Sequence, residues 1–404
     1  MSRPLEGVKV VEVAMWAFVP SCGAILADMG ADVIKIEPAT GDPIRGLTMG
    51  GIKPGQGSFQ MMWEIFNRGK RSFTLDLNVE GSLEILDKLL AEADVFLTSL
   101  LPPARRKLGI DADDLMAKHP RLIYAVGNGQ GMHGPDAEKG GYDAISYWAR
   151  GSVAASVTPT ELPYPLGMPA GAFGDVQSGT ALAGGIAAAL FQRERTGKAS
   201  IVDTALLGAG MWAMQASICG TKLMEIEEMP KPGRVVMPNP LVNSYRTSDD
   251  RYVWLCMLQG QRYWPGLCKA IGRPDLAEDA RFAAESDRVA NIEDCVAELD
   301  AVFAQRPLAD WKEALATQSG QWDVAQKSGE LATDPAAVAN GFAQNVDYGD
   351  GRTLTMVSAP MQFDRQYLRA RPAPELGADN DEVLASLGYD EDQIIDLKVA
   401  GNVY

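Results

Sequence analysis

Apolar and polar positions alternate along the chain in two rhythms. Val8 to Val13 (VKVVEV) is a short β-branched run, and residues 18–30 then carry apolar positions at helical spacing up to Gly30, a good C-cap. A second β-branched run, Val33-Ile34-Lys35-Ile36, closes at Glu37-Pro38. Strand, helix and strand within about 30 residues predict a βαβ unit, and a parallel sheet follows from it. The alternation continues with a strand over 72–77, a helix over 80–92, a strand over 95–98, a helix near 111–118 and a strand over 122–126. Elements of this length in this order predict a doubly wound α/β domain. Its first turn, Ala14 to Pro20, lacks G-x-G-x-x-G, so a Rossmann dinucleotide enzyme is disfavoured and Glu37 reads as an ordinary strand end.

Beyond residue 140 the pattern changes. Gly171 to Leu190 (GAFGDVQSGTALAGGIAAAL) predicts a smooth helix whose Gly179, Gly184 and Gly185 allow close approach to another backbone. Asp175 follows Gly174 near the start of this helix, where an aspartate either caps the N-terminus or serves as a nucleophile. Pro230, Pro232, Pro238 and Pro240 break the pattern over 230–245. A strand over 251–257 and a helical stretch over 260–330 predict a smaller α+β domain, strand character returns over 353–363, and 374–400 is an acidic helical tail broken at Gly377. The divisions drawn from this are 1–225, 226–335 and 336–404.

Composition narrows the chemistry. At 404 residues, 46% hydrophobic and 22% charged, the chain suits two or three domains of roughly 150 residues, with core enough to need neither disulfides nor a structural metal. The excess of 53 Asp+Glu over 37 Lys+Arg, a net charge of −16, argues against nucleic-acid or anionic-membrane partners but admits an anionic small molecule at a local basic cluster. Five cysteines without a C-x-x-C pair and only two histidines predict no zinc site. Met1 to Glu6 lacks a signal-peptide pattern, and the apolar stretch near 180–191 is too short to span a bilayer, so a soluble, reduced, cytoplasmic protein is expected. His119 sits before Pro120 at a helix end and His133 in a Gly-rich loop; both read as exposed and non-catalytic. A carboxylate is then the better candidate nucleophile.

A series of short motifs runs the length of the chain: Pro4 to Val10, Leu26 to Glu37, Gly41-Asp42-Pro43-Ile44-Arg45, Asn67 to Ser72, Gly141-Tyr142-Asp143-Ala144, Gly174-Asp175, Thr196-Gly197-Lys198, Asn239-Pro240 with Tyr245-Arg246-Thr247, and Leu376-Gly377 with Glu382-Val383-Leu384. In this order and spacing they resemble the family III CoA-transferases (the CaiB/BaiF family). The likeness is greatest to the 2-hydroxyacid and arylacryloyl type, through Tyr142-Asp143, Trp148 to Gly151 and Asn239 to Tyr245.

The resemblance implies an enzyme that transfers a sulfur-containing group, moving CoA between an acyl-CoA and a free carboxylic acid. Asp175 falls on the family's nucleophile, which passes through a mixed anhydride and an aspartyl-CoA thioester; helix-start amides would stabilise oxyanions and keep Asp175 ionised. It further implies CoA as co-substrate with no tightly bound cofactor or metal. The implied fold is a Rossmann-like large domain made from both ends of the chain, a small inserted domain, and an interlocked homodimer. Tyr142, Ala17 and Phe18 fall at the acyl end; Lys107, Arg71, Arg45, Ser99 and Leu100 fall where CoA is bound. Each of the three cations reads equally as a surface charge or a domain-closing ion pair. Trp16, Phe18, Trp148 and Met168 would form an apolar acyl pocket or ordinary core. Ala17 in place of the glutamine of formyl-CoA transferases, Pro38 in place of their arginine, and Met237-Pro238-Asn239 in place of their glycine run argue against oxalate or formate. A racemase or isomerase on the same fold is the alternative, with a non-catalytic acyl-CoA-binding protein as a third reading. Tyr142 stands where racemases of the same fold carry histidine, which argues against α-proton exchange. The intact Gly174-Asp175 argues against the third.

Overall fold

A computed structural model describes residues 3–47, 60–231 and 233–404; Met1 and Ser2 of the N-terminal reading and Pro232 of the proline-rich break lie outside the described residues. The chain is a mixed α/β protein organised on a six-stranded sheet. Its strands are β1 (Lys9–Val13), β2 (Asp32–Glu37), β3 (Arg71–Thr74), β4 (Val95–Thr98), β5 (Ile123–Asn128) and β6 (Ile201–Ala205). They lie in the order β3-β2-β1-β4-β5-β6, and every pairing is parallel. This is the doubly wound order, reversing direction between β1 and β4.

Parallel strands buried on both faces read as continuous apolar runs, and the alternation of side chains divides them between two cores. Val10, Val33, Val95, Leu97, Ile123 and Ala125 point to one core; Val11, Ile34, Ile36, Phe96, Tyr124 and Val126 point to the other. The helices that run between and after these strands are α1 (Phe18–Asp28), α2 (Met61–Asn67), α3 (Ser82–Glu92), α4 (Pro102–Leu108), α5 (Ala112–Lys118), α6 (Val153–Val157), α7 (Phe173–Thr196), α8 (Leu206–Ala213) and α9 (Gln215–Met224), the last with no buried residue. Helices α1 and α7 share the first core. Gly179 is what lets them close, since a Cβ there would lie 1.9 Å from Ser21 Oγ and 2.8 Å from the Phe18 carbonyl oxygen. Gly184, by contrast, has nothing within 4 Å of its missing Cβ, so close packing does not explain it.

The second core is completed by the C-terminal segment. Val383, Leu384, Ile394 and Val403, from the helices Asn380–Ser386 and Glu391–Val399 and the last residues, pack against Phe73, Leu86 and Phe96. The same segment covers the outer edge of β3. Asp379 Oδ2 accepts the Ser72 N–H at 2.7 Å and Asn380 Oδ1 accepts the Thr74 N–H at 2.8 Å, removing two amides that an open edge would present.

By compactness the chain divides into two units. One runs to Ala155 and takes in Leu166–Met224 and Ala332–Tyr404; the other comprises Ser156–Pro165 and Glu225–Leu331. The second unit has an antiparallel sheet of β7 (Val242–Arg246), β8 (Tyr252–Cys256) and β9 (Trp322–Val324). Its core is aromatic, with Tyr245 stacked on Phe303 at 5.1 Å and Trp264 and Trp311 fully buried. No described helix is long and apolar enough to cross a membrane. All five cysteines are free thiols.

Candidate active site

Helix α7 starts from Ala172, which takes φ 62° and ψ 28° and supplies no capping side chain. Asp175 is the third residue of the helix, so it does not fill the cap position that its sequence context allows. The cap comes from 31 residues upstream: buried Asp143, just before a π-helical turn over Ala144–Ala149, accepts the Gly174 N–H on Oδ2 at 2.9 Å. Only glycine fits between them. A Cβ on Gly174 would lie 2.2 Å from the Tyr147 ring and 2.4 Å from Asp143 Oδ1. Gly174→Ala is expected to displace Asp143 from the helix start and cost about 1–3 kcal/mol, read as a lower urea midpoint at unchanged slope.

Asp175 opens onto a cavity of about 370 Å³. The cavity lies at the carboxyl ends of the strands around the reversal between β1 and β4, where sheets of this type bind ligands. Met15, Trp16 and Phe18 enter it from the β1 exit, Ser99 and Leu100 from the β4 exit, and Tyr142 from the loop before α6. Two glycines bring that loop to the β5 exit, because a Cβ on Gly129 would lie 2.6 Å from the Gly141 Cα. Tyr142 thereby meets Trp16 edge to face, with ring centroids 5.8 Å apart. Trp16 has φ 69°, a left-handed conformation that costs a residue with a side chain roughly 1–2 kcal/mol.

The electrostatics single out Asp175. Among the described residues no hydrogen bond reaches its carboxylate. Burial, reinforced by the negative charge of Asp143, pushes its pKa up to about 7 from the ordinary 3.8. Burial also raises the Asp143 carboxyl, although the amides of Gly174 and Asp175 oppose it. The expectation that the helix start keeps Asp175 ionised is therefore corrected: the Gly174 amide serves Asp143, and Asp175 is left in a site that favours its neutral form.

The structure thus brings Asp175, Tyr142, Phe18, Ser99 and Leu100 to one cavity. It places the other residues singled out above elsewhere. Ala17 is core, buried with Ile44, Met62, Trp63 and Ala172, because the chain turns between Trp16 and Phe18 and directs it inward. Arg45 holds Glu37 through two bonds of 2.8 Å and lies on the Trp63 ring at 3.4 Å. Glu37 is consequently a buried hub rather than a plain strand end, accepting also from the Asp42 amide and Ser72 Oγ. Arg71 sits at the amino end of β3, the opposite end of the strands from the cavity, bound to Asp32 and Glu382 at 3.2 and 3.1 Å. Lys107 is exposed on α4, 3.3 Å from Asn78 Oδ1. Trp148 is buried with its Nε1–H on the Leu166 carbonyl, and Met168 packs against the first core. His133 is exposed, whereas His119 is mostly buried against Asp87 at 3.0 Å and so is not the exposed residue expected.

Sequence reasoning missed the capping role of Asp143 and the presence of Asn128 in the cavity wall. The carboxylate beside Tyr142 was a visible signal for the first; nothing local marked the second.

Residues 5–380 match the sequence model of CoA-transferase family III. The chain is 36% identical over 98% of both chains to an (R)-2-hydroxy-4-methylpentanoate CoA-transferase of Clostridioides difficile. It is 30% identical to a cinnamoyl-CoA:phenyllactate CoA-transferase of Clostridium sporogenes, covering 97% of this chain and 95% of that one. A crystal structure of a CaiB/BaiF family protein from Brucella suis superposes with a TM-score of 0.83 at 28% identity, over 96% of this chain and all of the other.

Proposed function

The chain belongs to CoA-transferase family III, and on that footing we propose that it moves CoA between carboxylic acids by covalent catalysis at Asp175. The observation that carries the assignment is a carboxylate in the ligand-binding crevice of the sheet, held by its helix and spent on no partner. Ionised Asp175 attacks the thioester carbonyl of the donor; the C–S bond breaks, leaving CoA thiolate and a mixed anhydride. The thiolate attacks the aspartyl carbonyl, releasing the donor acid and forming an aspartyl-CoA thioester. The acceptor carboxylate then attacks that thioester, and the same steps run in reverse. No proton need move, because nucleophile, leaving group and acceptor are all anions.

A cavity of about 370 Å³ walled by Trp16, Phe18, Leu100 and Tyr142 suits an apolar branched or aryl acyl group together with the thiol end of CoA. That chemistry fits the 2-hydroxy-4-methylpentanoate, cinnamoyl and phenyllactate groups in the names of the two relatives, and it does not suit oxalate. Ser99, Leu100 and Lys107 on the β4 exit and α4 are assigned to the rest of CoA. Arg45 and Arg71 are left out, since both guanidinium groups are committed to carboxylates. Exchange of an α-proton through histidine finds no support, because neither His119 nor His133 lines the cavity. The dimer of the family accounts for helices α8 and α9, where Trp212 is 73% and Leu223 is 86% exposed in the single chain.

Intact-protein mass after mixing with an acyl-CoA panel tests the reading. A CoA-sized or acyl-sized adduct that hydroxylamine removes, mapped to Asp175, is the expected result. Transfer of CoA without any adduct on Asp175 would sink it.

A further inference from the structure

The β1 exit is held in an unusual way. Three successive backbone groups are each taken by a side chain. Lys35 Nζ donates to the Ala14 carbonyl at 2.7 Å, Ser99 Oγ accepts the Met15 N–H at 3.1 Å, and Asp42 Oδ1 accepts the Trp16 N–H at 3.1 Å. Asp42 is itself immobilised. Its Oδ2 pairs with Lys35 Nζ at 3.0 Å, its Oδ1 also accepts the Ile44 N–H, its own amide donates to Glu37, and it is 1% exposed. Lys35 is fully buried and reaches Glu12, which in turn pairs with buried Lys70.

We infer that Asp42, locked by Lys35, is a positioning residue for the acyl cavity, holding Trp16 left-handed so that its indole and Tyr142 stand as a preset wall. Left-handed backbone under a bulky side chain persists only where the surroundings over-determine it, and such positions cluster where a ligand is gripped. A buried ion pair that served stability alone would need no bond to a strained residue at a cavity. Here the network ends on that residue. The wall, once set, limits the shape of the acyl group beside Asp175, so loosening it should alter selectivity between large and small acyl groups. Misplacing a positioned group by about 1 Å is worth up to about a hundredfold.

The inference rests on the proposed transferase reading, and the test separates the two. Selectivity is defined as the ratio between a branched or aryl acyl-CoA and acetyl-CoA. It is measured once from kcat/KM for transfer and once from Kd for the unreactive thioether analogues. Asp42→Ala, Trp16→Ala and the double variant form a cycle. The expected result is a ratio lowered about tenfold in each single variant and no further in the double, because Asp42 acts through Trp16. An unchanged ratio in either folded single variant, or losses that multiply in the double, would overturn it. Should Asp42→Ala not fold, Asp42→Leu, which likewise offers the Trp16 amide no acceptor, takes its place in the cycle under the same criteria. If the wild-type protein transfers no CoA, the transferase reading falls, and the binding ratios still decide the role of Asp42.

Discussion

Replacing Asp175 by alanine is expected to lower CoA transfer by on the order of 10⁴-fold or more, the scale seen when a covalent nucleophile is removed. The loss should appear in kcat, because the carboxylate acts by forming a bond rather than by holding substrate. The same substitution is expected to raise the melting temperature above pH 7. Carrying Asp175 ionised in a site that pushes its pKa from 3.8 to about 7 costs the fold on the order of 4 kcal/mol, and alanine removes that cost. Steady-state transfer and thermal melts of the one variant at pH 8 check both halves. A variant that is inactive and less stable than wild type at that pH would mean that Asp175 supports the structure, contrary to the geometry.

The second large effect is on pH dependence. Only ionised Asp175 attacks, so kcat/KM is expected to fall about tenfold per pH unit below about 7, or about a hundredfold at pH 5. Stability moves the other way. Between the unfolded value of 3.8 and the folded value of about 7 the native chain binds the proton more tightly, so this group stabilises the fold as pH falls through that window and ceases to do so above it. Asp143→Asn keeps an oxygen for the Gly174 amide while removing the neighbouring negative charge. Its acid limb should shift to lower pH without reaching the ordinary aspartate range, since burial is the larger cause. An acid limb near pH 4 in the wild-type enzyme, measured with a non-titrating substrate, would refute this account.

Strands β1 to β5 were legible because parallel strands buried on both faces leave uninterrupted β-branched runs, and the helix between β1 and β2 ends at a recognisable glycine, Gly30. Strand β6 was not: Ile201–Ala205 is only partly buried, so IVDTA lacks the apolar density of its neighbours. The cover on β3 was also invisible, since Asp379 and Asn380 act on strand residues some 300 positions away. In the site, Asp175 was reached through an extended series of motifs, whereas local physics offered cap and nucleophile alike. Asp143 and Asp42 each act on a backbone amide distant in sequence, a relation no periodicity encodes. Trp16 carries no turn signal at all, because a left-handed residue normally announces itself as glycine. Arg45 and Arg71 lie in matching motifs, yet their carboxylate partners appear only when β2, β3 and the C-terminal helix are side by side.

The cover on the β3 edge also sets a timetable for synthesis. Thr74 and the Asn380 that closes on it are 306 residues apart. At about 5–20 residues per second, roughly 15–60 s pass between the ribosome's release of one and the other. During the later part of that interval, once β6 (Ile201–Ala205) has emerged, all six strands are present while the β3 edge is still uncovered and the Phe73 face of the second core is still wet. A nascent chain in this state offers a template for strand pairing with its neighbours on the same message. The β3 edge is therefore the stretch of this sheet that is exposed to such pairing until the segment carrying Asp379 and Asn380 arrives.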